Sequence, residues 1–146
     1  MLTSPSTSPV NILLVEDNPD HAELVMRGLE EVHPQAQITH LTDGEAALNF
    51  LFKDANQTRP DFVLLDLRLP KIDGLEVLRQ IKADPHMRAL PVIVLTTSSA
   101  VSDIEKAYCN YVNSYLVKPT EYSQFLDLLA DLGLYWAEWN AHVKAI

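Results

Sequence analysis

Charged and hydroxyl side chains stand at the ends of short apolar segments that are spread along the chain. They are Glu16, Asp17, Asp66, Thr96, Thr97 and Lys118. An acid pair follows the first segment, a single aspartate ends the third, two threonines close the fourth, and a lysine ends the fifth. A carboxylate nucleophile, a cation, an ammonium and a hydroxyl are the groups that phosphoryl transfer to an aspartate requires. The pattern therefore predicts a site for that chemistry.

The three acids predict a metal. Carboxylates held close together repel one another strongly where the local dielectric is low. A divalent cation at Glu16, Asp17 and Asp66 would remove this repulsion. Mg²⁺ prefers hard oxygen ligands in octahedral geometry and keeps several waters, so carboxylates, a carbonyl and water suit it. We therefore predict Mg²⁺ as the cofactor.

Each residue also has an ordinary explanation when it is taken alone. Asp66 could cap a turn or helix, and the Glu16–Asp17 pair could belong to the first turn of a helix. Lysines such as Lys118 are usually solvated, and threonines such as Thr96 are common in strands. The occurrence of all of them at four different strand ends is much harder to obtain by chance.

The apolar segments themselves predict five strands, at residues 10–16, 37–42, 61–66, 91–97 and 112–118. Between them, apolar residues recur every three or four positions, which predicts five helices. The fourth helix is predicted to open at Ser98 or Ser99, and the fifth at about Thr120. Alternating strands and helices with right-handed crossovers predict an α/β fold with a doubly wound parallel sheet and helices on both faces. Ligands of such sheets bind beyond the carboxyl ends of the strands.

Composition restricts the class of protein. The chain has 146 residues, a formal charge of −9 and a single cysteine, Cys109. We expect a disordered tail over residues 1–9 and one domain over residues 10–146 that ends in an extended helix. The acidic balance argues against nucleic acid and membrane surfaces as partners. The lone cysteine and the lack of a signal peptide favour a cytoplasmic protein. The five histidines show no ligand spacing and are interpreted as solvated or capping residues.

These motifs resemble the receiver domain of two-component response regulators, the chemotaxis-receiver-like family. The matching features are the acid pair, Asp66, the loop LPKIDG at residues 69–74, Thr96, and Lys118–Pro119. The resemblance covers about residues 10–133. It implies a flavodoxin-like fold with five parallel strands in the order 2-1-3-4-5.

The resemblance also implies how the acids act. Asp66 would accept a phosphoryl group from a sensor histidine kinase. Asp17, Asp66 and the backbone carbonyl of Arg68 would bind Mg²⁺, with Glu16 acting through water. The chain would then be a phosphoacceptor signalling protein and not an enzyme, since it would catalyse only its own phosphorylation and dephosphorylation.

Residues of the fourth and fifth strands would respond to the phosphoryl group in such a protein. Lys118 would pair with it, Thr96 would move towards it with Thr97 alongside, and Tyr115 would turn inward. The resemblance implies a cis bond between Lys118 and Pro119.

A narrower resemblance is to the stand-alone receivers that partner phytochromes. It is carried by the segments VLTTSS, DIEKAYCNYVNSYLVKP and LGLYWAEW, and by the long loop between Phe52 and Pro60. The kinase would then be a phytochrome. No output domain is expected after about Leu132, so output would be by protein contact. We expect a homodimer through the face formed by the fourth helix, fifth strand and fifth helix. Its candidate residues are Tyr108, Tyr111, Val112, Tyr122 and Phe125.

Several alternatives can be weighed. A haloacid-dehalogenase-type phosphatase needs a second aspartate two positions after the first, where this chain has Arg68. A flavodoxin-like electron carrier would need a first loop that binds phosphate, but the loop EDNPD would repel it. The glycine-rich loops of nucleotide-binding domains do not occur. A degenerate receiver that acts as a phosphorylation-independent interaction module remains an alternative. Arg68 and Thr97 depart from the common family pattern, so the phosphoryl lifetime stays open.

Overall fold

The computed structural model describes residues 9–53 and 59–136, in which five strands alternate with five helices. The strands are β1 (Asn11–Val15), β2 (Gln37–Leu41), β3 (Phe62–Leu65), β4 (Val92–Thr96) and β5 (Ser114–Val117). The helices are α1 (Pro19–Val32), α2 (Gly44–Phe52), α3 (Gly74–Ala83), α4 (Val101–Cys109) and α5 (Tyr122–Leu134). The predicted tail, except Pro9, and the predicted extension over residues 137–146 lie outside the described residues.

The strands form one parallel sheet in the order β2-β1-β3-β4-β5, as predicted. Ile12 in β1 lies between Ile38 of β2 and Phe62 of β3. Because every strand runs in the same direction, all five carboxyl ends reach one edge of the sheet. This edge is where the predicted site residues should meet.

Alternate side chains of the central strands enter two separate hydrophobic cores, one on each face of the sheet. Leu13, Val63 and Val94 face α2, α3 and α4, and we call this side the α2–α4 core. Ile12, Leu64 and Leu95 face α1 and α5, and we call this side the α1/α5 core. The strands are apolar on consecutive positions because both faces are buried.

Polar side chains cap the first two helices. Asn18 caps α1, since its Oδ1 accepts from the backbone N–H groups of Asp20 and His21. Asp43 caps α2 through the Ala46 N–H at 2.7 Å.

The predicted starts of α4 and α5 were too early, because these helices begin at Val101 and Tyr122. The Ser98 hydroxyl accepts from the Ala100 N–H and donates to Asp103, so it stabilises a turn before α4.

The prediction of a cis bond between Lys118 and Pro119 was wrong, because no peptide bond among the described residues is cis. The trans form of such a bond is favoured by about 0.5–1 kcal/mol when nothing opposes it. With this bond trans, the Lys118 backbone N–H donates to the Thr96 carbonyl at 2.7 Å and extends the pairing of β5. The pairing of the strand therefore does not require a cis bond.

The predicted dimer face needs a correction at two residues. Val112 and Phe125 are buried, at 6% and 4% exposure, in the α2–α4 core and the α1/α5 core respectively. Their side chains cannot contact a partner, because the two cores already enclose them. Tyr108, Tyr111 and Tyr122 are exposed.

Helices able to span a bilayer were sought within residues 9–53 and 59–136. None there combines the necessary length with the necessary apolar character.

Candidate functional site

Strand register brings the acids together. β1 ends at Val15 and β3 ends at Leu65, and these two residues are directly paired. The Asp66 N–H then donates to the Val15 carbonyl at 3.0 Å. Asp66 therefore lies beside the loop that follows β1, and Glu16 is the first residue of that loop. The fold therefore places carboxylates from two adjacent strands at one point of the sheet edge.

Glu16, Asp17 and Asp66 form a carboxylate cluster that fits a divalent cation. One oxygen from each lies within 4.8 Å of the others. Glu16 and Asp66 are buried, whereas Asp17 is exposed, so the cluster is open to water on the Asp17 side. An all-oxygen donor set with space for water suits Mg²⁺ and also Mn²⁺.

The Lys118 ammonium lies against this cluster and is itself buried, at 4% exposure. Its Nζ donates to Glu16 Oε1 at 2.5 Å and to Asp66 Oδ2 at 3.3 Å. Lys118 belongs to the loop after β5, so its aliphatic stem must cross the sheet edge to reach β1 and β3. One positive charge is thereby shared between two buried carboxylates, which would otherwise be costly to bury.

Both oxygens of Glu16 are already hydrogen-bonded. Oε1 accepts from Lys118, and Oε2 accepts from the Asn18 N–H at 3.1 Å. Burial raises the pKa of Glu16 to about 7; the hydrogen bond from Lys118 lowers it, and the charge of Asp66 raises it further. These contacts suit an acid that acts on a metal through water more than an inner ligand.

The acceptor position of Asp66 is defined from both sides. Its Oδ1 accepts from the Arg68 backbone N–H at 3.3 Å, and its Oδ2 accepts from Lys118. Gly74, at the start of α3, lies so near that a Cβ there would be 2.2 Å from the Asp66 carbonyl oxygen. The first turn of α3 therefore packs directly on the backbone of Asp66.

Two predicted hydroxyl residues lie at the end of β4. Thr96 is fully buried, and its hydroxyl accepts from the Ser98 N–H at 3.4 Å. Thr97 is exposed. The structure thus fixes Thr96 within the sheet edge, while the predicted movement of Thr96 towards a phosphoryl group stays a prediction.

His21 belongs to the site although sequence reasoning classed it as a solvated or capping residue. Its Nδ1 accepts from Lys118 Nζ at 3.0 Å, because an ammonium can only donate. Burial and the charge of Lys118 lower the pKa of His21. Its ring also packs edge-on against Phe125, with the ring centroids 6.2 Å apart. The sequence shows only that His21 follows Asp17 by four residues, in the first turn of α1, which does not by itself predict a contact with Lys118.

A second polar group, which we call the Asp103 network, consists of Arg68, Ser98, Asp103 and Tyr115. The Asp103 carboxylate accepts from the Arg68 guanidinium and from the Ser98 hydroxyl, both at 2.5 Å. The Tyr115 hydroxyl donates to the Ser98 carbonyl at 2.8 Å. The ring of Tyr115, predicted to turn inward, is half-buried against the α2–α4 core. Neither Asp103 nor Ser98 was predicted to be functional.

The geometry supports two chemical capacities. The carboxylate cluster can hold a divalent cation, and Lys118 supplies a fixed positive charge at Asp66 Oδ2. A cation and an ammonium on either side of a carboxylate stabilise negative charge that arrives there. Asp66 is the residue that belongs to the cluster and also contacts the ammonium.

Known proteins are similar to this chain over most of its length. The response regulator receiver domain family matches residues 12–130. The chain is 48% identical over 134 residues to the probable methanogenesis regulatory protein FilR2 of Methanothrix harundinacea, covering 90% of this chain and 86% of that protein. It is 37% identical over 140 residues to the response regulator Rcp1 of Synechocystis, covering 94% and 95%.

Two solved structures resemble the fold closely. The phosphorylated cyanobacterial phytochrome response regulator RcpA has a TM-score of 0.88 at 36% identity, covering 92% of this chain and 99% of RcpA. The Mn²⁺-bound form of Rcp1 gives a TM-score of 0.88 at 37% identity, with the same coverage. Rcp1 therefore binds a divalent metal on this fold.

Proposed function

This chain belongs to the response-regulator receiver family, and on that premise we propose that Asp66 accepts a phosphoryl group from a sensor histidine kinase in a Mg²⁺-dependent reaction. The observation that carries the proposal is the position of Asp66. It shares the carboxylate cluster with Glu16 and Asp17 and also receives a hydrogen bond from buried Lys118. The phosphorylated RcpA structure, which has the same fold, supports it.

The proposed reaction is a displacement at phosphorus. A carboxylate oxygen of Asp66 attacks the phosphorus of a phosphohistidine on the kinase. The new O–P bond forms as the P–N bond breaks, and the imidazole nitrogen leaves with the electron pair and takes a proton from solvent. The product is an acyl phosphate on Asp66. Attack of water on that phosphorus later breaks the O–P bond and returns the carboxylate and inorganic phosphate.

The chain's own residues prepare the acceptor. The Arg68 N–H and the Lys118 ammonium hold the two oxygens of Asp66, which fixes the direction of the carboxylate. Asp17, Asp66 and the Arg68 carbonyl would hold Mg²⁺, with Glu16 acting through water, and the bound ion would supply charge neutralisation for the phosphoryl oxygens. Thr96 and Thr97 would line the side of the transferred group towards β4.

The proposed kinase partner is a phytochrome. RcpA is a cyanobacterial phytochrome response regulator, and this chain shares its fold over nearly the whole of that protein. A second candidate is a histidine kinase that does not sense light. The higher identity to FilR2, which is named a methanogenesis regulator, favours this second candidate.

Phosphotransfer would separate the two candidates. Purified phytochrome kinase and a panel of other histidine kinases from the source organism would be loaded with labelled phosphate and mixed with this protein. Faster transfer from the phytochrome than from every other kinase supports the first candidate. Faster transfer from another kinase replaces it by the second.

The proposed output is protein contact by a cytoplasmic protein that forms a homodimer. The face of α4, β5 and α5 supports this part, because Tyr108, Tyr111 and Tyr122 are 53%, 77% and 63% exposed there. Aromatic side chains are enriched at protein interfaces. The single cysteine supports the cytoplasmic location.

Replacing the acceptor tests the central proposal. Asp66→Asn should abolish acid-labile phosphorylation by a small phosphodonor in Mg²⁺, because an amide oxygen is a poor nucleophile. Asp61→Asn is a useful comparison, since Asp61 is also a buried aspartate but lies at the opposite end of β3. Labelling of Asp61→Asn should be unchanged. Labelling retained by Asp66→Asn would show that another residue is the acceptor, and labelling retained by both variants would exclude Asp66 and Asp61 alike.

A further inference from the structure

Arg68 links the phosphoacceptor loop to α4. Its backbone N–H donates to Asp66 Oδ1, while its guanidinium donates to Asp103 at the start of α4. The guanidinium side chain is 58% exposed, whereas the Asp103 side chain is 9% exposed. The cation therefore lies largely in solvent, whereas the anion is enclosed.

Asp103 has two hydrogen-bond partners, Arg68 and Ser98. Arg68 belongs to the loop that follows β3, and Ser98 belongs to the loop that follows β4. The Ser98 hydroxyl bonds the same oxygen of Asp103 as the guanidinium does. Ser98 is in the loop after β4, two residues beyond Thr96, and its carbonyl accepts from Tyr115 of β5. Movement of the guanidinium would thus change the hydrogen bonds of the loop between β4 and α4, which Tyr115 also links to β5.

We propose that the Arg68 guanidinium exchanges Asp103 for the phosphoryl group when Asp66 is phosphorylated, so that Asp103 is a positioning residue which couples the acceptor to α4. This inference rests on the proposed function of Asp66. It assigns a contact between Arg68 and the phosphoryl group that the backbone roles of this residue do not include.

Charge decides the direction of the exchange. A phosphoryl group carries about two negative charges and three strong acceptor oxygens, whereas Asp103 offers one charge. Guanidinium groups bind phosphate oxygens through two parallel hydrogen bonds, which adds to the preference. The proximity is also favourable, since the backbone N–H of Arg68 already donates to Asp66 Oδ1 at 3.3 Å.

The departure of the guanidinium leaves Asp103 with one partner fewer. Its carboxylate must then rely on Ser98 and on water at the helix start, which loosens the first turn of α4. The same helix carries the exposed Tyr108 in its last turn. Phosphorylation would reach the proposed partner face through this path.

Fluoroberyllate with Mg²⁺, which mimics a phosphoryl group on a carboxylate, provides the probe, and fluorine NMR can measure its affinity. Asp103→Asn weakens the hold on Arg68, so the affinity should rise about fivefold. Arg68→Gln should lower the affinity. The double variant, Arg68→Gln with Asp103→Asn, should bind the probe no more tightly than Arg68→Gln alone. The exposed pair Arg79 and Glu76 is the control, because it also joins a guanidinium to a carboxylate but lies on α3. Glu76→Gln should leave the affinity unchanged.

Hydrogen exchange provides a readout that a purely structural role would not move. In the unsubstituted protein, fluoroberyllate should speed exchange of the amides from Val101 to Ile104, and in Asp103→Asn the probe should cause no such change. Equal affinity in Asp103→Asn and the unsubstituted protein would overturn the inference, as would a gain that persists without Arg68. Failure of the unsubstituted protein to bind the probe would instead overturn the proposed function itself.

Discussion

At the scale of single residues, the Lys118 ammonium is shared by two buried carboxylates, Glu16 and Asp66. A charge at the end of an apolar segment needs a partner, and parallel strands supply one at the same edge, which is why these three residues could be predicted to meet. His21 and Asp103 could not be predicted, since each lies within a helix where polar residues are ordinary. Their contacts depend on which residue of another element faces them.

The Lys118→Met variant tests the shared charge. Removal of the ammonium leaves Glu16 and Asp66 buried without a cation, which should lower the free energy of unfolding by about 3 kcal/mol in the absence of divalent metal. Urea denaturation with and without Mg²⁺ measures the effect, and Mg²⁺ should restore part of the loss. A variant as stable as the original protein in metal-free buffer would contradict the assignment of a shared charge.

The His21→Gln variant tests the neutral state of that imidazole. The pKa of His21 is lowered in the folded protein. Near pH 6 the unfolded chain therefore binds more protons at this residue than the folded protein does. The contribution of a neutral His21 to stability is lost as the pH falls below about 6.5, the ordinary pKa of histidine. The stability of the original protein, relative to that of His21→Gln, should therefore decrease between about pH 7.5 and pH 5.5. Urea midpoints at both pH values measure this difference, and a constant difference would argue against the contact with Lys118.

At the scale of helices and strands, periodicity predicted every element and its place in the order, but it placed the starts of α4 and α5 too early. α4 begins three residues after Ser98, because the Ser98 side chain serves Asp103 as well as the turn. The buried side of α5 was also difficult to predict. Phe125 looked available for a partner, but it fills the α1/α5 core. Ser98 and Phe125 could each have served another purpose, and their tertiary contacts decide which one the fold uses.

The Gly74→Ala variant tests how closely α3 packs on the acceptor. The added methyl group would lie 2.2 Å from the Asp66 carbonyl oxygen, so the helix or the loop must move. We expect destabilisation of about 1–3 kcal/mol, together with weaker Mg²⁺ binding. Thermal unfolding and metal titration measure the two effects.

Gly133→Ala is the matched control for this variant. Its methyl group would lie 3.3 Å from Val32 Cβ, away from the site, so a smaller loss of stability and unchanged metal affinity are expected. Equal metal affinity in Gly74→Ala and Gly133→Ala would show that the position of α3 does not matter to the cluster.

At the scale of the whole molecule, the sheet order and the two cores could be predicted because consecutive apolar residues require cover on both faces. The homodimer stays a prediction. Of the two aromatic residues that end the described part of the chain, one is buried and the other is exposed. Trp136 is buried against Phe62 with the ring centroids 4.3 Å apart, whereas Tyr135 is exposed.

Self-association through the face of α4, β5 and α5 can be tested with Tyr108→Ser combined with Tyr111→Ser. Loss of two exposed aromatic side chains should weaken a homodimer at least tenfold without changing the fold, since truncation of aromatic residues central to an interface often costs more than about 1.4 kcal/mol. Sedimentation with and without fluoroberyllate measures the dissociation constant. Phe52→Ser, on α2, is the control. A strict monomer at high concentration in both states would remove the dimer from the proposal.

The burial of Trp136 bears on where the domain can be cut. The family match stops at residue 130, yet Leu132 and Trp136 belong to the α1/α5 core, and the indole covers Phe62. Trimming the chain at that limit would strip the indole from the first residue of β3, the strand whose other end carries Asp66. The free energy of unfolding of the shortened protein should be lower by roughly 3–5 kcal/mol, the cost of removing a buried tryptophan side chain. An affinity tag should therefore be attached after residue 136.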